Sequence, residues 1–308
     1  MRESSFGIRP YQPWDFGKII RLLSEAKHME PDRPFVSSVG LAERLARPNF
    51  SPEEHLLVVE AEGEIIGYTE ITPELGIGRT VLDCFVHQRR RRQGIASKLL
   101  AQATKCSGAI GARTIQVSIN EAAHAGETLL SHAGFRMVRR FIEMRLDFYT
   151  ACLIDVKEGP FTIRKLRRDE SERLTEIQNR SFAGSWGFHP NTDEEIRYRL
   201  TLHGCGPEDV IMAYADRKAV AYCWIRTLLQ ADGTRKGEIH MLGVDPGFRN
   251  QDIGREILLR GLLELKGRGL SRVDLTVDEE NHAARQLYES FGFRAYTTTV
   301  WYEKQFTP

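Results

Sequence analysis

Cysteine is scarce and unpatterned: Cys84, Cys106, Cys152, Cys205 and Cys223 are odd in number, and no two form a C-x-x-C pair. This argues against a disulfide framework and gives no zinc-ligand spacing, so no metal is expected and a reducing cytoplasm fits best. Long apolar runs are missing too. Nothing approaches the ~18 residues of a membrane-spanning helix, and MRESSFGIRPYQPWDF has no apolar signal-peptide core. Nor is charge of one sign in excess, because 43 Lys and Arg stand against 42 Asp and Glu. A net charge of +1 supplies neither a basic face for nucleic acid nor a polybasic membrane patch, so neither partner is expected.

What is present is a globular balance, with 41% apolar and 28% charged residues over 308 positions. That length suits two domains of about 150 residues better than one. The chain also repeats itself. Val86 to Phe135 aligns without a gap on Val244 to Phe293, and Arg91, Gln93, Ile95, Gly111, His124 and Gly134 meet identical residues in the second copy. Periodicity predicts the same elements in each half. In the first these are a strand at 5–9, helices from Phe16 and at 39–46, a hairpin over HLLVVEA and EIIGYTEI, and a strand at 80–86. A helix at 95–109, a strand at 114–119, a helix at 121–132 and a closing pair of strands at 135–146 follow. The order recurs from Thr162 to Glu303, including a strand at 238–244, a helix at 254–267 and a helix at 281–290. This is an α/β pattern with a mixed sheet, expected as domains 1–150 and 160–308, with the boundary between Tyr149 and Pro160 where periodicity lapses.

Two stretches carry the chemistry. VDPGFRNQDIGREIL, from Val244 to Leu258, reads as a strand end, a turn, a short loop and a helix start. Main-chain N–H groups converge at such a helix start and the helix dipole adds positive potential, which together can cradle a pyrophosphate. VHQRRRRQGIASKLL, from Val86 to Leu100, is its twin. Arg89 to Arg92 crowd cations against a helix N-terminus, a conflict that a bound polyanion relieves, while the plainer reading is a solvated basic turn. Asp252 stands where the first copy has Gly94 and brings negative charge toward the cradle. Aspartate tolerates left-handed backbone, so its carboxylate can face solvent while its N–H faces an anion.

The element order, with a loop of Arg, two residues, Gly, one residue, then Gly or Ala, resembles the GCN5-related N-acetyltransferase (GNAT) superfamily. Arg91-Arg92-Gln93-Gly94-Ile95-Ala96 follows that pattern throughout, and Arg249-Asn250-Gln251-Asp252-Ile253-Gly254 departs from it at Asp252. A second family signature runs from Asn281 through Ala284 and Leu287 to Tyr288, before Gly292-Phe293. The tandem arrangement, with GEIHMLGVDP before the second loop, is similar to that of mycothiol synthase and its relatives, a likeness that leaves the acceptor open. The resemblance implies two tandem GNAT-like domains and acetyl-CoA as acetyl donor. In that superfamily the loop holds the pyrophosphate, and the strand before it splays to pair with the pantetheine arm. Carried over, Leu242, Gly243 and Val244 line the arm, while Arg249, Asn250, Gln251, Asp252, Ile253, Gly254 and Arg255 hold the pyrophosphate, with Asn281 also on the cofactor side. The matching residues of the first half are Cys84, Phe85 and Val86, then Arg91, Arg92, Gln93, Gly94, Ile95, Ala96 and Ser97.

A tyrosine at the position of Tyr288 protonates or positions the departing CoA thiolate in that family. A phenol near pKa ~10 is a fitting acid for a thiolate near ~8.5, and the first half has Leu130 instead. Glu238 and His240 lie two apart on the strand entering the second loop, so both project from one face. An ammonium must lose its proton before attacking a thioester; Glu238 is the candidate base and His240 the alternative or helper. Thr80 and Leu82 stand at their places in the first half. His124 and His282, repeated in both halves, suggest a shared structural role. Trp186, Phe188 and His189, in the insert SFAGSWGFHPN, are candidates for the acceptor wall or for plain loop packing. Neither Cys205 nor Cys223 has a nucleophile motif, so the expectation is direct attack by a primary amine in the second half, with acetyl-CoA and the amine as partners. The first half is expected to bind CoA or to serve structure alone. A protein-lysine acetyltransferase and a non-catalytic CoA-sensing module remain open.

Overall fold

The computed structural model describes residues 6–29, 36–151, 153 and 159–306, so the expected strand residue Ser5 and most of the expected linker lie outside the described residues. In chain order the first elements are β1 (Gly7–Pro10), α1 (Phe16–Met29), α2 (Ser38–Leu45), α3 (Pro52–His55), β2 (Leu56–Ala61), β3 (Glu64–Glu74) and β4 (Arg79–Val86). They continue as α4 (Ile95–Ala109), β5 (Thr114–Asn120), α5 (His124–His132) and β6 (Arg136–Asp147). The second copy has β7 (Thr162–Lys165), α6 (Ser171–Phe182), α7 (Asp193–Arg199), β8 (Val210–Ala215), β9 (Lys218–Leu229) and β10 (Arg235–Val244). It ends with α8 (Ile253–Gly267), β11 (Arg272–Asp278), α9 (His282–Ser290) and β12 (Arg294–Gln305).

Contacts divide the chain into two compact units, Met1–Arg140 with Thr299–Pro308, and Phe141–Thr298. The repeat places a boundary at 150–160; the contacts place it elsewhere because the closing strands are exchanged. Neither half keeps the expected closing pair of strands. Thr299–Gln305 of β12 pairs antiparallel with β5 of the first unit, and Phe141–Asp147 of β6 pairs antiparallel with β11 of the second. The first unit's sheet therefore runs β1-β2-β3-β4-β5-β12, and the second's β7-β8-β9-β10-β11-β6. Each is antiparallel except where its fourth and fifth strands, β4–β5 and β10–β11, run parallel.

Each sheet is covered on both faces. In the first unit α4 buries Ile95, Leu99, Leu100 and Ala103 on one face, while α1 and α2 bury Ile19, Leu22, Leu23, Leu41 and Leu45 on the other. In the second, α8 contributes Ile257, Leu258, Leu262 and Leu265 beneath Val220, Cys223 and Ile225; α6 and α7 place Leu174, Ile177 and Ile196 on Met212, Tyr222 and Trp224. Helices on both faces explain why the middle strands read as nearly continuous apolar runs. One ionic brace is repeated. Arg9 makes a two-pronged bridge to Asp15 at 2.6 and 2.8 Å, and Arg164 makes the same bridge to Glu170 at 2.6 and 2.7 Å, joining the first strand of each unit to the start of its first helix. Among the described residues no helix is long and apolar enough to cross a membrane.

Candidate active site

Both loops take the same backbone path. Arg92 (φ 65°) and Gly94 (φ 75°) are left-handed in the first, Asn250 (φ 60°) and Asp252 (φ 57°) in the second. Asp252 thus fills the left-handed position of Gly94 directly before α8, and its side chain is exposed, without a capping hydrogen bond. A Cβ built at Gly94 meets nothing within 4 Å, so the loop has room for a side chain there. Lys98 and Glu256 are the residues whose N–H groups begin the two helices' own ladders. The preceding first-turn N–H groups, at Ile95, Ala96 and Ser97 and at Ile253, Gly254 and Arg255, remain directed out of the helix end, as an anion cradle requires. The arginines act differently from the cradle. Arg91 Nε donates to Val86 O (3.2 Å), while Arg249 donates to Val244 O (3.4 Å) and Ser181 O (2.9 Å), so both tie the loop to the strand end. Arg255 reaches Ser290 Oγ at 3.1 Å and lies over the Phe291 ring. Gln251 donates to Gly247 O at 3.5 Å, and Arg92 and Gln93 are exposed. Asn281 caps α9, its Oδ1 accepting from Ala284 N at 3.1 Å.

Sequence reasoning missed the brace behind the second loop. Asp245 is buried, accepts from Gly247 N (3.0 Å) and pairs with Arg180 of α6 (3.1 Å) and Lys218 of β9 (3.0 Å). Burial pushes its carboxyl up, but these partners outweigh burial and hold it below the usual range. His87 stands at the same loop position in the first unit, with Nε2 3.3 Å from Glu25 of α1. Its Nδ1 accepts from Arg89 N at 3.2 Å, as Asp245 accepts from Gly247 N, so the turn is kept with an imidazole in place of the carboxylate. The only sequence signal was that Asp245 sits inside the quoted GVDP stretch.

The strand before the loop is irregular. Ile239 lies opposite Ile225 and Met241 opposite Trp224, so His240 is the additional residue of a β-bulge. The parallel ladder between β10 and β11 ends at Glu238–Asp274, leaving the rest of β10 paired only with β9 on its other side. β4 also parts from β5, after Leu82–Val117, but it runs opposite β3 without a bulge. The register corrects the expected counterparts. Glu238 faces Asp274, whose repeat partner Gln116 faces Val81, so Val81 rather than Thr80 corresponds to Glu238, and the bulged His240 has no counterpart. Gly243 is required by close packing, because a Cβ there would strike the Tyr222 ring and come within 2.9 Å of Ser181 Cβ.

Glu238 and His240 are brought together, Oε2 lying 3.5 Å from Nδ1. Arg226 of β9, directly opposite Glu238, places Nη1 3.3 Å from His240 Nδ1 and 3.8 Å from Glu238 Oε2. Trp224 meets the His240 ring edge-on at 5.5 Å. Burial pushes the Glu238 carboxyl up, yet His240, Arg226 and Lys236 more than offset it, and the group is held below the ordinary carboxylate range. Burial depresses the His240 ring, Glu238 opposes that, and Arg226 adds to it; the outcome is a lowered pKa and a neutral imidazole. Tyr288 is buried on α9, edge-on to Phe293 at 5.9 Å, and burial raises its phenol well above the ordinary value. Cys223 is fully buried and its thiol is pushed up to about 12, so it is no nucleophile at neutral pH. His124 and His282 both stand exposed at the first residue of their helices, the same place in each copy. Phe188 stacks on Phe182 (5.5 Å) and Trp186 meets Phe141 (5.9 Å), so the insert is packed within its own unit.

Comparison with known proteins decides the family. The Acetyltransferase (GNAT) family model matches residues 171–293, and a second acetyltransferase (GNAT) domain model matches 52–137. A mycothiol acetyltransferase of Thermobispora bispora is 30% identical over 305 residues, covering 95% of this chain and 97% of its own. The chain belongs to the GNAT acetyltransferase family. A mycothiol acetyltransferase of Stackebrandtia nassauensis is likewise 30% identical over 263 residues, covering 82% of this chain and 83% of the relative. Among solved structures, a GCN5-related N-acetyltransferase from Sphaerobacter thermophilus superposes with a TM-score of 0.77 at 22% identity, covering 98% and 96% of the two chains. A tandem GNAT protein from the clavulanic acid biosynthesis pathway gives 0.74 at 15% identity and 99% coverage of each; both likenesses concern the fold. The activity is acetyl-CoA-dependent N-acetylation. In the first unit, β3 and β4 carry an ionic cluster: Arg44 of α2 bridges Glu70 (2.5 Å) and Asp83 (2.7 Å), Arg47 bridges Glu70 (2.6 Å), and the Tyr68 hydroxyl donates to Asp83 (3.2 Å).

Proposed function

We propose that the second unit carries out the transfer, by direct attack of a primary amine on the acetyl-CoA thioester, with Glu238 as base and Tyr288 as the acid that meets the departing thiolate. The observation that supports this most is the bulged strand β10. It sets an ionised carboxylate beside a neutral imidazole at the point where β10 leaves β11, and the loop at its end has an outward-facing helix start. Pyrophosphate is assigned to the N–H groups of Ile253, Gly254 and Arg255, with the backbone of Leu242, Gly243 and Val244 along the pantetheine arm. Asn250, Gln251 and Asp252 shape this loop, and Arg249 braces it. Asp252 is compatible with the assignment because it keeps the left-handed backbone and turns its side chain outward. The first unit, with Cys84, Phe85 and Val86 and the loop from Arg91 to Ser97, is assigned CoA binding without turnover. Leu130 replaces the acid there and Val81 the base. The described cysteines Cys84, Cys106, Cys205 and Cys223 are free, which supports a reducing compartment such as the cytoplasm.

The test is CoA release from acetyl-CoA with a panel of amines, the acceptor of mycothiol acetyltransferases first. Glu238→Gln is expected to lower kcat/KM by about 100-fold or more, with the deficit growing as pH falls. A loss of constant size across the pH range would remove Glu238 from the role of base.

A further inference from the structure

We propose that Arg226 is a positioning residue that fixes the tautomer of His240 and so leaves Glu238, rather than His240, to take the proton of the attacking amine. The inference rests on the assignment of the transfer to the second unit. His240 Nδ1 and Glu238 Oε2 approach each other to 3.5 Å, yet Oε2 is buried and accepts no hydrogen bond, so the ring proton is not directed at it. Two lone pairs at that distance repel unless a cation lies against both. The cation present is Arg226, whose Nη1 lies 3.3 Å from Nδ1 and 3.8 Å from Oε2. A guanidinium only donates, so Nδ1 accepts and the single proton of the neutral ring resides on Nε2. An imidazole with its proton on Nε2 and its Nδ1 lone pair engaged by Arg226 has no lone pair to offer an amine. Glu238 does: its Oε2 is turned inward against Arg226 and His240, while the side chain as a whole remains 29% exposed.

The position of Arg226 follows from the sheet. It stands directly opposite Glu238 in the β9–β10 register, and its Nε donates to Cys205 Sγ at 3.2 Å, which holds the far side of the guanidinium. The other charges facing the pair are accounted for. Lys236 lies along the same strand and Asp274 faces Glu238 from β11, but these two are paired at 2.8 Å, with Arg145 of β6 also on Asp274 at 2.8 Å. Arg199 of α7 acts on His240 in the same direction as Arg226. Arg226 lies against both members of the pair.

The experiment uses the full chain with acetyl-CoA and the fastest amine of the panel, in the unaltered protein and in Arg226→Gln, Arg226→Lys and Glu238→Gln. It is joined to ¹⁵N NMR of the histidine rings, with His240 assigned through its loss in His240→Asn. Expected are an Nε2–H ring in the unaltered protein and migration of the proton toward Nδ1 in Arg226→Gln. The acid limb of kcat/KM should move up by about half to one pH unit in Arg226→Gln, with the alkaline plateau recovered, and should return close to its original position in Arg226→Lys. An Nδ1–H ring in the unaltered protein, or an acid limb unmoved in Arg226→Gln, would overturn the proposal. If Arg226→Gln does not fold, the tautomer of the unaltered protein decides. Survival of the acid limb in Glu238→Gln defeats the base assignment itself; its loss there, with an unmoved limb in Arg226→Gln, defeats only the role of Arg226.

Discussion

Tyr288 and Cys223 show how burial assigns chemical roles. Burial drives both groups toward their protonated forms. For Cys223, beneath Gly261 of α8, this means an inert core thiol. For Tyr288 it means a phenol that holds its proton across the working pH range, the state an acid must have when a thiolate departs. Tyr288→Phe keeps the edge-on packing against Phe293 and removes only the hydroxyl. It is expected to lower kcat by about 100-fold while the KM for acetyl-CoA changes by no more than about 2-fold. Steady-state kinetics on a variant with an unchanged circular dichroism spectrum checks it; an unchanged kcat would exclude Tyr288 from the proton transfer. Both Tyr288 and Glu238 were legible as residue types in a motif. Arg226, Asp245 and Arg180 were not, because their meaning lies in what they meet across strands and helices, and that is invisible to local spacing.

At the scale of elements, the repeated brace between first strand and first helix makes a pH-dependent contribution. The Glu170 carboxyl hydrogen-bonds Arg164 and is lowered from 4.5 to about 2, burial opposing the shift. A carboxyl depressed on folding stabilises the fold above its unfolded pKa and loses that contribution as pH falls toward the folded value. Glu170→Gln should therefore cost the second unit on the order of 2 kcal/mol at pH 7. The gap from the unaltered protein should close between about pH 4.5 and 2. Urea unfolding at a series of pH values measures this, and a gap independent of pH would show that the bridge acts through packing rather than charge. Element positions followed well from periodicity, as in α4, α8 and α9, because buried faces impose it. The bulge at His240 did not. No glycine or proline announces it, and extending the gap-free repeat backward through it displaced the counterpart of Glu238 by one residue, from Val81 to Thr80.

Across the whole molecule, two loops of the same backbone geometry stand beside two different pieces of chemistry. The first unit has Leu130 and Val81 where the second has Tyr288 and Glu238; it also carries a cluster of Arg44, Arg47, Glu70 and Asp83, and the second its bulge. The expected outcome is two CoA sites per chain by titration calorimetry and one turnover centre. Glu238→Gln should abolish most turnover and leave the stoichiometry at two; a single site lost with a charge reversal in the Arg91–Ser97 loop locates the other, and a stoichiometry of one returns the first unit to a structural role. Sequence alone determined the duplication, the mixed α/β fold and the loop residues, because repeated motifs and buried periodicity are local properties of the chain. Only the tertiary structure decided that the closing strands are exchanged, since strand pairing is a long-range choice among equally suitable partners. It also decided that Asp252 takes a glycine's left-handed backbone with its side chain exposed, and that a guanidinium from the neighbouring strand lies against both Glu238 and His240, because both depend on where side chains converge.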